Sequence, residues 1–248
     1  LVFATYAQGA AQARKAGVLA ESLRRFGGDL GEAPLFVVAD ESARAALATT
    51  GLAATVLPLE EDAVARGVPF AAKAYAAAVV ERRAEGAETL AWMDPESVVV
   101  SAPRALDLGP SAAVALRPVF LVNAVGLAEG APVDAYWARL FREAGVDPAA
   151  VPAVESLADE KRIRFYVNCG VIAWRPGRGI GREWARALSA VLADGPWRQE
   201  HCADPRRLVF LHQAVLSVVL LARTTAQERR WLPPDHGYPL NLHDRLPE

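Results

Sequence analysis

Apolar positions in the first hundred residues alternate between short β-branched runs and long alanine-rich stretches. Leu1 to Tyr6 predicts a strand, and Ala10 to Phe26 repeats its apolar residues at helical spacing. Gly27-Gly28 ends that helix, as glycine commonly does just past a C-terminus. Leu35 to Ala39 (LFVVA) predicts a buried strand, and Ser42 or a neighbour is placed to cap a helix running to Ala48. Ala54 to Leu59 reads as a third strand and Phe70 to Glu85 as a helix, with Lys73 and Ala77 one turn apart. Thr89 to Met93 resumes as a strand, and Ser97 to Val100 continues extended. This rhythm predicts an α/β fold with a mostly parallel central sheet covered by helices on both faces.

The second half is less regular. Ala113 to Val122 predicts a strand, Pro132 to Ala144 an amphipathic helix, and Arg164 to Trp174 contains another strand. Ile180 to Ala193 predicts a helix with Ile180, Trp184, Leu188 and Val191 on one stripe. Leu208 to Ala222 is apolar but interrupted by His212 and Gln213. It falls short of the roughly 20 residues a membrane-spanning helix needs, so it reads as a buried helix and no span is expected. A tail rich in proline and aromatics runs from Trp231 to Glu248. No repeat or low-complexity linker divides the chain, and residues 1–248 read as one continuous domain.

Composition narrows the function classes. With 52% apolar and 23% charged residues in 248, the chain can build a substantial core and is not disordered. Its 27 basic and 29 acidic residues leave a net charge of -2, which argues against a nucleic-acid partner. Two isolated cysteines, Cys169 and Cys202, exclude a disulfide framework and fit a reducing, cytoplasmic setting. The chain opens on Leu1 rather than Met, so no targeting segment is read from its start.

Chemistry concentrates in TLAWMDPESVVV, Thr89 to Val100. The strand ends on Asp94, Pro95 favours extended backbone before it, and Glu96 follows two positions later. Two carboxylates at i and i+2 in extended chain share a side, and they sit where open α/β sheets bind ligands. Such a pair can hold a divalent cation that bridges a diphosphate. The same tripeptide is equally an ordinary acidic turn. Three other segments carry polar residues where apolar ones are expected. Asn168, Cys169 and Gly170 interrupt the strand FYVNCGVIAW, His212-Gln213 sits inside the apolar LHQAVL, and YPLNLH lies in the tail.

In this order the segments resemble the glycosyltransferases of the GT-A fold, which transfer a sugar from a nucleotide diphosphate. WMDPESVVV resembles the family's D-x-D strand with Glu96 for the second Asp, NCGVIAW its later N-x-G-V strand, and LHQAVL its acidic-Gln helix. VFATYA and LFVVAD resemble the nucleotide-binding half, so residues 1–100 would bind nucleotide and 101–248 face the acceptor. The resemblance implies a nucleotide-sugar donor, a UDP-sugar foremost, a hydroxyl acceptor, and Mn²⁺ or Mg²⁺ held by Asp94, Glu96 and His243. It implies that Thr5, Tyr6, Ala7, Lys73 and Asp94 contact the donor nucleotide. Asn168 and Gln213 would act at the transfer centre, together with His212, which stands where the family has an acid. All these residues are expected to converge on one cleft. Removing the charge of Asp94 or Glu96 is expected to weaken donor binding without unfolding the domain.

Other readings compete. A catalytically inactive binding module would keep the fold without transfer. A nucleotidyltransferase or an NAD-dependent dehydrogenase would carry a glycine-rich loop after the first strand, where AQGAAQARK has only Gly9. The later string RPGRGIGR lacks the complete dinucleotide pattern and reads as a strand-to-helix connection.

Overall fold

The computed structural model describes residues 1–246. In chain order its elements are β1 (Val2–Ala7), α1 (Gly9–Phe26), β2 (Leu35–Ala39), α2 (Glu41–Leu47), β3 (Thr55–Pro58), α3 (Ala72–Arg83), β4 (Leu90–Met93) and β5 (Val114–Leu116). They continue with α4 (Ala135–Ala144), β6 (Ala153–Glu155), β7 (Arg162–Arg164), β8 (Val171–Trp174), α5 (Ile180–Ala193), α6 (Gly195–His201), α7 (Pro205–Arg223) and β9 (Arg229–Trp231). Seven strands form one sheet in the order β3-β2-β1-β4-β8-β5-β9, and β6 and β7 pair separately. Both halves of the chain contribute to the main sheet. The last two residues of the predicted tail, 247 and 248, lie outside the described residues.

The alternation of side chains along each strand divides the core in two. Phe3, Ala7, Val37 and Ala91 pack under α1 and α2. Ala4, Tyr6, Trp92 and Trp174 pack under α3, α5 and α7. Helix α7 is buried all round from Leu211 to Leu220 because it runs through the second core, and His212 and Gln213 interrupt its apolar surface. It is the one described helix long and apolar enough to cross a membrane. Close approach of α5 to α3 depends on Gly181, where a Cβ would lie 2.8 Å from the Ala77 carbonyl oxygen. The fully buried Glu81 of α3 ties this corner together. It accepts from Trp174 Nε1 at 2.8 Å and from the backbone amides of Gly181 and Arg182, both at 2.9 Å, at the start of α5. These helix-end amides have no intrahelical acceptor, so a buried carboxylate there satisfies them.

The sheet is mostly parallel, as its rhythm predicts, with one exception. Strand β8 runs antiparallel between β4 and β5. Three local expectations also change. Asp40, not Ser42, caps α2, accepting from the Ala43 amide at 2.7 Å. Ser97 to Val100 forms no strand; Val98 and Val100 are exposed, and the Val99 amide donates to Ser22 Oγ at 3.0 Å. The strand expected over Ala113 to Val122 stops at Leu116, before Pro118, which has no amide to continue the ladder.

Candidate active site

The antiparallel insertion of β8 assembles the site. Because Met93 of β4 pairs with Val171, the residues entering β8 lie beside the residue leaving β4. The Asp94 amide donates to the Gly170 carbonyl at 2.7 Å. A Cβ at Gly170 would sit 3.1 Å from Asn168 Oδ1 and 3.4 Å from Asp94 Oδ2, so glycine permits this approach. Asn168 Oδ1 in turn accepts from the Gly170 amide at 2.7 Å. Asn168 and Asp94 therefore line one small region at the carboxyl end of β4.

Asp94 is held on both oxygens. Oδ1 accepts from Trp92 Nε1 at 3.0 Å, and Oδ2 from Lys73 Nζ at 2.6 Å. The Lys73 side chain is 4% exposed and that of Asp94 24%, so the ammonium lies beneath the carboxylate. Burial pushes the Asp94 carboxyl above its ordinary range, opposed by the charge of Lys73. For Lys73, burial pulls the ammonium down, but Asp94 outweighs it and holds the group above the ordinary lysine range. Tyr6 stacks on Trp92 with ring centroids 5.9 Å apart, and burial pushes its hydroxyl up to about 12.

A second polar chain lies next to this pair. Lys73 Nζ is 3.5 Å from Cys169 Sγ, which is 3.2 Å from His212 Nε2. His212 Nδ1 lies 2.9 Å from the Val209 carbonyl, a contact that places its proton on Nδ1 and leaves Nε2 to accept from the thiol. Burial, then the charge of Lys73, pushes the imidazole well below its ordinary range, so it is neutral. Gln213 Oε1 accepts from the Cys169 amide at 3.3 Å, and its Nε2 donates to the Tyr166 hydroxyl at 2.7 Å. The half-exposed ring of Phe70 closes the cluster, 5.5 Å from the His212 ring and 5.8 Å from Lys73 Nζ. Phe70 holds a left-handed backbone, φ 59°, which a bulky residue adopts only when its surroundings impose it.

Residues 3–223 match the Rhodobacterales glycosyltransferase domain. The chain belongs to this glycosyltransferase family. Solved structures of similar fold agree. An active-site mutant of LgtC gives a TM-score of 0.51 at 17% identity, over 99% of this chain and 82% of that one. The apo structure of the bifunctional glycosyltransferase WbbM gives 0.51 at 14% identity, over 94% of this chain and 39% of that one. At such identities the likeness is one of fold, and the fold is the GT-A type. No curated protein sequence matches the chain.

Within this glycosyltransferase, Asp94, Lys73, Asn168, Gln213, His212 and Tyr6 are linked into one network. Gln213 and His212 are buried, and their polar atoms brace the Tyr166–Cys169 segment. Thr5, Tyr6 and Ala7, expected to contact the donor nucleotide, are 0%, 2% and 0% exposed at the end of β1. Alternation turns Thr5 away from Tyr6, towards the α1 face. Asp94 is not the free cleft carboxylate the sequence suggests but half of a buried ion pair. Glu96 departs furthest. The Ser97 amide donates to the Asp94 carbonyl at 2.9 Å, which closes a turn over Asp94 to Ser97 in which each carboxylate meets its own cation. Glu96 is exposed and meets Lys15 Nζ of α1 at 2.9 Å. His243, in the tail, is exposed, with Nδ1 2.6 Å from the Tyr238 hydroxyl.

These contacts test the divalent cation the resemblance implies. Both Asp94 oxygens face N–H donors, one of them cationic, and the near oxygen of Glu96 faces another ammonium. Among the described residues no three His, Cys, Asp or Glu side chains gather as a ligand set. The donor set Asp94, Glu96 and His243 does not fit a metal centre in this arrangement. Sequence patterning also leaves Lys15, Phe70 and Tyr166 unnoticed. Only Phe70 carries a signal, as a large apolar residue directly after Gly67-Val68-Pro69, where a turn is expected.

Proposed function

We propose that this glycosyltransferase moves a sugar from a nucleoside-diphosphate donor, a UDP-sugar foremost, to an acceptor hydroxyl. The observation that carries the reading is the Lys73–Asp94 pair set beside Asn168 and Gly170 at the carboxyl end of β4. Open α/β sheets bind their ligands at that edge. In the reaction, the bond from the anomeric carbon to the phosphate oxygen breaks and its electron pair stays on the diphosphate. The acceptor oxygen bonds the anomeric carbon and gives its proton to water. In this reading Asn168 and Asp94 orient the sugar, and positioning of this kind lowers the barrier by removing a bimolecular step. Gln213 and His212 position the Tyr166–Cys169 segment that carries Asn168. A cytoplasmic setting belongs to the same reading, supported by two free, buried cysteines.

Thermal unfolding with a nucleotide panel tests the donor class. A ligand that binds only the native state adds about 2.7 kcal/mol of stability at a hundredfold excess over Kd. UDP or GDP is expected to raise Tm more than NAD or ATP. An equal, flat response to every nucleoside diphosphate removes the basis of the donor reading.

A further inference from the structure

The acidic pair of the D-x-D-like turn is already neutralised, and by the chain itself. Lys73 Nζ stands 2.6 Å from Asp94 Oδ2, and Lys15 Nζ stands 2.9 Å from Glu96 Oε1. The two lysines reach the turn from different helices, α3 and α1, so each carboxylate has its own cation on its own scaffold. Two carboxylates and two ammoniums sum to zero formal charge. Two carboxylates and one divalent cation give the same sum. A divalent ion entering between Asp94 and Glu96 would have to displace both ammoniums or sit against them, and Lys73 is buried, only 3% exposed.

We infer that Lys15 and Lys73 divide the work of the divalent cation, Lys73 neutralising Asp94 and Lys15 meeting the donor diphosphate, so that binding and transfer run without metal. This rests on the nucleoside-diphosphate reading above. The two lysines divide the work by their burial. Lys73, sealed under Asp94, is a fixed counter-charge that keeps the carboxylate in place. The side chain of Lys15 is 53% exposed, and that of its partner Glu96 51%. An ion pair so open to water is weakly held, so the Lys15 ammonium can exchange Glu96 for a phosphate oxygen at little cost. When the bond to the anomeric carbon breaks, the electron pair left on the diphosphate meets this ammonium, a charge-assisted contact that strengthens as the charge develops.

The lysine and metal arrangements predict opposite effects at Glu96. Glu96→Gln frees Lys15, so the affinity for UDP holds or increases; at a metal site it would fall. Lys15→Met removes the mobile cation, and Kd for UDP rises about tenfold, equivalent to about 1.4 kcal/mol. The experiment is calorimetric titration of UDP and GDP into the wild type and these two variants, each first treated with EDTA and then supplied with MnCl₂. Both positions are exposed, so folding is not at stake. Metal-free Kd values within about twofold of the Mn²⁺ values, with Lys15→Met weakened and Glu96→Gln binding no more weakly than wild type, support the inference. Binding that appears only with Mn²⁺, or that Glu96→Gln abolishes, overturns it and leaves the donor reading standing. Titrations flat for UDP and GDP in both conditions overturn the donor reading and this inference with it.

Discussion

Removing either partner of the Lys73–Asp94 pair leaves the other charge behind, and the two orphans are not equivalent. Breaking a fully buried pair costs about 3–5 kcal/mol because an uncompensated charge stays in low dielectric. After Lys73→Met the orphan is Asp94, whose side chain is 24% exposed and still accepts from Trp92 Nε1. Water reaches it, so the cost falls to roughly 2–3 kcal/mol. After Asp94→Asn the orphan is the Lys73 ammonium, only 4% exposed, and the full range of about 3–5 kcal/mol applies. For a chain of this size 1 kcal/mol moves Tm by about 2–4 °C, so Lys73→Met lowers Tm by roughly 4–12 °C and Asp94→Asn by more. The double variant recovers part of the loss, with a coupling of about 2 kcal/mol in the cycle. Urea and thermal unfolding of the four proteins at pH 7 provide the measurement. A Lys73→Met protein as stable as wild type, or an Asp94→Asn protein that loses less than Lys73→Met, refutes the argument from unequal burial.

Three further outcomes follow from contacts already described. His212 is held neutral when folded, so below about pH 6.5 the unfolded chain binds a proton that the folded chain does not, and stability falls on acidification. Between pH 7.5 and 5.5 this term amounts to about 1.4 kcal/mol, and it should vanish in His212→Gln; parallel pH profiles for the two proteins would count against a neutral His212. Gly181→Ala drives a Cβ to 2.8 Å from the Ala77 carbonyl and should cost about 1–3 kcal/mol in urea unfolding, whereas Gly195→Ala, with open space around it, should cost less. Cys169 is buried and its thiol is pushed up to about 11, chiefly by burial, so a thiol reagent should modify it in urea and spare it in the native protein. Rapid native labelling would show the cluster to be open.

Much of this site is legible in the chain. Asp94 ends an apolar strand, and Asn168 and Gly170 break another; each local pattern is strong enough to read without a structure. The partners of those residues are not. Lys73 is read from the resemblance as a donor contact, but nothing in its alanine-rich helix shows that α3 is buried nearly all round or that its lysine is buried against Asp94. Glu96 reads as the twin of Asp94 if the backbone stays extended; the Asp94–Ser97 turn found instead is the other equally good reading of the same residues. The antiparallel sense of β8 is hidden as well, since a short buried strand carries no mark of its direction.

The position of β8 also governs how the chain can come together during synthesis. The first four strands of the main sheet to emerge, β1 to β4, are parallel neighbours and can close on one another while the ribosome is still translating. Strand β5 emerges next but has no partner among them; it pairs only with β8 and β9. Until Trp174 has been made, the nascent chain therefore carries an open β4 edge and a stranded β5. Such edges invite pairing with other chains, and contacts this distant in sequence form slowly. A nascent chain halted before β8 should be the species that a holdase protects. The last strand threaded into the middle of the sheet is also the one that brings Asn168 to Asp94, so closing the centre of the sheet and joining the two halves of the site are a single event.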